Sequence, residues 1–165
     1  MPERKTIRRA QKDAREGKAP STQAGEFVKE EIGHIRKGRH GARSTKQAVA
    51  IGLSKARRAG VDLPPPKKGS TSERTRKQAS RDRAKGRAPS RRPPSAARSK
   101  AVRKALQREG RSAASRAALG RQVRTAARSR GAASRRAAAR KAARTKGKSG
   151  LRAAARKAAR TRSTR

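Results

Sequence analysis

A ten-residue phrase, RAAARKAART, stands at residues 136–145 and again, unchanged, at residues 152–161. Its arginines recur at i, i+4 and i+8, so on an α-helix of 3.6 residues per turn they form one slowly drifting stripe. The chemistry open to such a stripe is charge neutralisation. A guanidinium is planar, stays protonated, and meets phosphate through two parallel hydrogen bonds. Arg136, Arg140, Lys141 and Arg144 in the first copy, and Arg152, Arg156, Lys157 and Arg160 in the second, are therefore the candidate phosphate contacts.

Few other residues suggest chemistry. The chain has no Cys, which removes thiolate zinc sites, disulfides and a Cys nucleophile. Its two histidines, His34 and His40, are too few and too isolated for a metal site, and surface histidines are the expectation. The loop from Gly38 to Gly41 lacks both the Gly-Lys-Ser/Thr ending and the preceding strand of a phosphate-binding loop. No set of Ser, His and acid suggests itself, so no enzyme, cofactor or metal is expected. Arg91, Arg92 and Pro93 distantly resemble a minor-groove AT-hook but miss its central Arg-Gly-Arg-Pro order.

Composition names the partner class. The 165 residues carry a formal net charge of +41 with a pI near 12.0. Charge on that scale opposes compaction unless a polyanion neutralises it, and nucleic acid is the leading candidate. Phe27 is the only aromatic side chain. A platform for stacking unpaired bases is therefore missing, which favours sequence-neutral duplex binding over single-strand reading. The first 12 residues contain no secretory apolar core, and the most apolar run, residues 48–53, is far shorter than the roughly 20 residues of a membrane span. A soluble cytoplasmic protein, associated with the nucleoid and not with membrane, is the resulting expectation.

The positioning elements can be read from the same pattern. Residues 1–63 hold 16 Lys and Arg against 7 Asp and Glu, a net of +9, whereas residues 64–165 hold 35 against 3, a net of +32. Residues 1–20 read as a basic arm with a thin apolar face of Ile7, Ala10 and Ala14 that docks weakly at best. Ser21 and Thr22 offer capping hydroxyls to a helix over 23–37, in which Val28, Ile32 and Ile35 fall on one face beside Phe27. Ser44 and Gln47 form a capping box for a second helix whose stripe is Val49, Leu53 and Ala56, ended by Gly60. The fold class is thus mostly α: a small helical hairpin over 21–63, then a long disordered or conditionally helical basic tail.

So small a core is marginal, and the hairpin is expected to self-associate or dock a protein partner. Lys46, Lys55, Arg57 and Arg58 on its second helix are left for solvent or phosphate. Helix-turn-helix reading is disfavoured, since neither a third buttressing helix nor a base-reading set is evident. Residues 64–95 form a Pro-rich basic linker with a short helix over about 72–85, where Asp82 to Ser90 echoes Asp13 to Ser21. Residues 96–165 form the Ala/Arg-rich nucleic-acid-binding tail, with helical candidates at 96–109 and 112–127.

For the repeats the sequence alone sets helix propensity against charge. Ala and Arg favour helix by several tenths of a kcal/mol per residue. Like charges four apart cost about 0.2–0.5 kcal/mol per pair, and nucleation is expensive for segments without an apolar face. A tail that gains helix as a polyanion neutralises it is the expectation.

Residues 39–60, in particular HGARSTKQAVAIGLSKARRAG from His40 to Gly60, are similar to a recurring segment of short basic bacterial proteins. These are poorly characterised and sometimes labelled plasmid-stabilisation or DNA-binding proteins, and the similarity extends over about 21–68. It implies a bacterial source. The tail from Pro93 resembles in composition the Ala/Lys/Arg-rich tails of bacterial histone H1-like proteins, although Arg exceeds Lys here. It implies DNA compaction. The function expected is therefore non-enzymatic, sequence-independent binding and condensation or bridging of duplex DNA; the alternative is a structural RNA-binding protein of ribosome-associated type.

Overall fold

The computed structural model describes residues 2–88 and 95–163. The AT-hook-like residues Arg91, Arg92 and Pro93 lie outside the described residues. Among the described residues all regular structure is helical: α1 Arg4–Arg15, α2 Pro20–Arg36, α3 Thr45–Arg58, α4 Glu73–Arg87, α5 Ala96–Gln107, a 3-10 turn Ser112–Ala114, α6 Arg116–Ser129 and α7 Gly131–Ser163. The chain divides into two units, residues 1–120 and 121–165.

Local stops work as the sequence suggests. At the end of α3, Gly60 takes φ 99°. Its N–H donates to the Arg57 carbonyl, and that of Val61 to the Ala56 carbonyl, both at 3.1 Å. This is the paired bonding of a Schellman end, with Val61 turned into the core. Gly17 and Gly38 close α1 and α2 in the same way. Ser44 caps α3 by accepting from the Gln47 N–H, while the Gln47 side chain accepts from the Arg43 N–H, one residue earlier than in an ideal capping box.

The start of α2 departs from expectation. Pro20 occupies its first turn behind Ala19, and neither Ser21 nor Thr22 caps it. Proline's fixed φ already suits the first helical position, so the helix begins before the hydroxyls.

Two apolar clusters hold the first unit. Ala10, Ala24, Phe27, Ala56 and Val61 form one, with Ile7, Leu53, Ala59 and Leu63 packed on it. Thus α1 docks on the hairpin instead of fraying. Ile32, Ile35, Ala42, Ala48, Ala113 and Ala114 form the other, joined by Val28 and Leu119. Between the two, Gly52 lets α3 approach α2 closely: a β-carbon there would lie 2.7 Å from the Val28 Cα.

Part of the second cluster comes from the segment read as tail. The Gly41 and Ala42 N–H groups donate to the Leu106 and Gly110 carbonyls at 2.8 and 3.0 Å. Thr45 Oγ1 and Arg36 Nε donate to the Ala113 and Ala114 carbonyls at 2.7 and 2.9 Å. Residues 106–119 therefore strap the hairpin, and the free basic stretch begins later than residue 96. Isolated Ala113, Ala114 and Leu119 in an Ala/Arg-rich run show no period, so the sequence pattern does not reveal this packing.

The expected helix near 72–85 is α4, capped by Ser72, and it packs on α3. Its Asp82, 1% exposed, accepts from Ser54 Oγ at 2.6 Å, Arg58 Nε at 2.9 Å and Gln78 Nε2 at 3.1 Å. Over the described part of the echo between Asp13–Ser21 and Asp82–Ser90, the two glycines differ in structure. Gly17 ends α1 at φ 68°, whereas Gly86 lies inside α4 against the Arg57 carbonyl. The chain's own α1 and residues 106–119 add apolar side chains to the hairpin, and α4 packs on α3.

In the second unit α7 is two rods, since Gly147 at φ 62° and ψ −179° is not helical. Each rod carries one copy of the repeated phrase.

Candidate nucleic-acid interface

The rods order the repeat arginines along their surfaces. In the first, Arg140, Lys141 and Arg144 wall a shallow open groove with Ala137 and Thr145. The second repeats it sixteen residues on with Arg152, Arg156, Lys157 and Arg160, beside Ser149 and Ala153. Arg136 is exposed on the first rod but does not line its groove. Thr145 and Thr161 donate back to the Lys141 and Lys157 carbonyls at 2.9 and 3.0 Å, which occupies both hydroxyls within their own helices.

Charge density can be compared with that of a duplex. Residues 131–146 carry six Lys and Arg, and residues 148–163 carry six more. Sixteen helical residues span about 24 Å, so each rod bears a positive charge every 4 Å or so, against about 1.7 Å per phosphate charge along duplex DNA. The charge density of one rod is therefore under half that of a duplex of the same length.

The four basic candidates on α3 are placed differently. Lys46 is exposed. Lys55 is paired with Glu31, a residue 1% exposed. Arg57 is itself buried and donates from Nε to the Leu63 carbonyl at 3.1 Å and from Nη2 to the Pro64 carbonyl at 3.2 Å. Burial lowers its pKa from the ordinary arginine value, opposed by the charge of Asp82. Arg58 joins Asp82. Three of the four thus hold the fold together, Arg57 buried, Lys55 part-buried and Arg58 from the surface onto a buried Asp82.

Other charged contacts fasten the periphery. Arg83 beside Asp62, at 2.7 Å, holds that carboxyl below its ordinary value, with Arg87 adding to the effect. Hydrogen bonds from His34 and Arg39 lower Glu3 in the same sense.

The histidines are not isolated. Their rings meet edge to face with centroids 6.2 Å apart, and one ligand atom each of Glu31, His34 and His40 lies within 4.8 Å of the others. The sequence reading missed this group, although Glu31 and His34 at i, i+3 share a helix face and were the available signal.

No helix among the described residues is long and apolar enough to cross a membrane. Residues 4–68 match the model of a family of unknown function, DUF6496. Comparison with curated proteins and with solved structures gave no match. The likeness covers α1, α2, α3 and the approach to α4, less than half of the chain, and leaves the arginine rods outside it.

Proposed function

We propose that this chain is a non-enzymatic nucleic-acid-binding protein of bacterial, nucleoid-associated type. Residues 1–120 anchor it and the repeat rods neutralise duplex DNA without reading sequence. The supporting observation is the pair of identical arginine rods in a stretch that has no acidic residue after Glu109. Contacts of this kind go to phosphate, add up, and carry no base preference. Bridging follows when the two rods engage different duplexes.

The rods gain their full helix content on binding. Their residues are almost all exposed, so no tertiary packing stabilises the helix in the free chain, and like charges four apart oppose it. Phosphate removes that repulsion.

The test is a salt titration of affinity for random-sequence duplex, with helix content followed by circular dichroism. If the eight repeat residues are the phosphate contacts, log K falls against log salt with a slope of about −7, and helix is gained on binding. A chain lacking residues 131–163 that binds duplex as tightly as the full chain refutes the tail-centred mechanism. Tighter binding to a folded RNA at equal salt selects the ribosome-type alternative.

A further inference from the structure

Among the described residues, Glu31, His34 and His40 form a group whose ligand atoms all lie within 4.8 Å of one another. We propose that it is a divalent transition-metal site, of the kind that takes Zn2+ through imidazole nitrogen and carboxylate oxygen. Glu31 and His34 are presented one turn apart by α2, and His40 comes back to them from the loop after Gly38. His40 Nδ1 lies 3.0 Å from the Gly41 carbonyl, and its Nε2 lies 3.1 Å from Glu31 Oε1. A proton held on Nδ1 by a backbone carbonyl leaves the Nε2 lone pair for a metal, the arrangement that orients ligating histidines.

The surroundings favour a cation. Glu30, one turn before His34, has an Oε1 that is buried and without a hydrogen-bond partner, while its Oε2 accepts from the Glu3 N–H. Glu3 in turn reaches His34 Nε2 with Oε1 at 3.0 Å. Two carboxylates, Glu31 and Glu3, thus meet the two histidines, with Glu30 bonded to the Glu3 backbone, in a chain of net charge +41 where acids are scarce. Facing them are the Lys55 ammonium, bound to Glu31 Oε2, and the exposed Arg39 guanidinium, 2.9 Å from both His34 Nε2 and Glu3 Oε1. A metal takes Glu31 Oε1 and leaves Oε2 to Lys55. Arg39, at the surface, swings aside. Two imidazoles and a carboxylate suit a borderline ion and not Mg2+ or Ca2+, which prefer oxygen.

The test adds ZnCl2 to the full chain and follows both histidine Cε1–H resonances by NMR, with calorimetry for affinity. Both resonances shifting together and saturating at one equivalent is the expected result, with MgCl2 ineffective. His34→Gln, His40→Gln and Glu31→Gln each weaken binding by about tenfold or more. Lys55→Met, which removes the positive charge that neutralises Glu31 from its other oxygen, strengthens it, an effect opposite to that of a lysine serving only the fold. Histidine resonances that ignore stoichiometric Zn2+ overturn the proposal, as does affinity unchanged in both histidine variants. Should a glutamine variant unfold, the wild-type titration and Lys55→Met still decide.

Discussion

At the scale of single residues, the scarcity of acids makes each one consequential. Asp82 collects Ser54, Arg58 and Gln78, and Arg57 spends its donors on the Leu63 and Pro64 carbonyls. Replacing Arg57 by Ala strands these carbonyls and opens a gap beside α3. A loss of about 1–3 kcal/mol is expected in chemical denaturation, with little change in duplex affinity. Asp62 gives a pH signature. Its ordinary pKa of 3.8 is depressed in the folded chain by Arg83 and Arg87, so its contribution is complete above that value and disappears as pH falls through the lower folded one. Carboxyl NMR on acidification should show Asp62 titrating below an exposed aspartate. High salt, which screens an exposed pair, should bring the two together.

Elements carry the next level of consequence, and two glycines test it. Gly41 sits where a β-carbon would lie 1.8 Å from the Glu109 carbonyl oxygen. Gly41→Ala therefore pushes the 106–119 strap from the hairpin, and hydrogen exchange should show Ala113 and Ala114 losing protection. Gly147 breaks α7. On one uninterrupted helix at 100° per residue, copies sixteen residues apart would face about 160° away from each other. In the proposed binding mode, the break leaves the second arginine stripe able to turn toward the same duplex as the first or toward another. Gly147→Ala, worth up to about 1 kcal/mol of helix propensity, should raise the helix content of the free chain. Duplex affinity should fall several-fold in the same variant, since one stripe then points away.

For the whole molecule the consequence is a division of labour by charge. Residues 1–63 balance part of their own charge, with 7 acids to 16 bases, whereas no acidic residue follows Glu109. Single substitutions such as Arg140→Ala should weaken duplex binding little, each lowering the magnitude of the salt slope by about 0.9 without altering any preference among sequences. Binding isotherms on two unrelated duplexes at several salt concentrations measure both quantities at once.

Much of this was legible in the sequence. Periodicity and caps located α2 and α3, because Val28, Ile32 and Ile35 repeat at helical spacing and Ser44 with Gln47 announces a start. The repeats gave the spacing of the arginines on α7, but the balance of propensity against charge pointed to a disordered or conditionally helical tail where the structure has two helical rods. What escaped depends on contacts that no helical or strand period encodes, some between distant segments and some across a turn. Ala113 and Ala114 look like any alanines of a basic tail until they meet Ile32 and Ile35. Lys55, Arg57 and Arg58 look like free cations until Glu31, Asp82 and two carbonyls arrive to take them. His34 and His40 become neighbours only because Gly38 turns the chain back on α2. Local propensity and charge are written in short stretches of sequence, and so they set the helices and the excess of basic residues in the C-terminal part. Burial and pairing are decided by which distant segments fold together, and only the tertiary structure settles that.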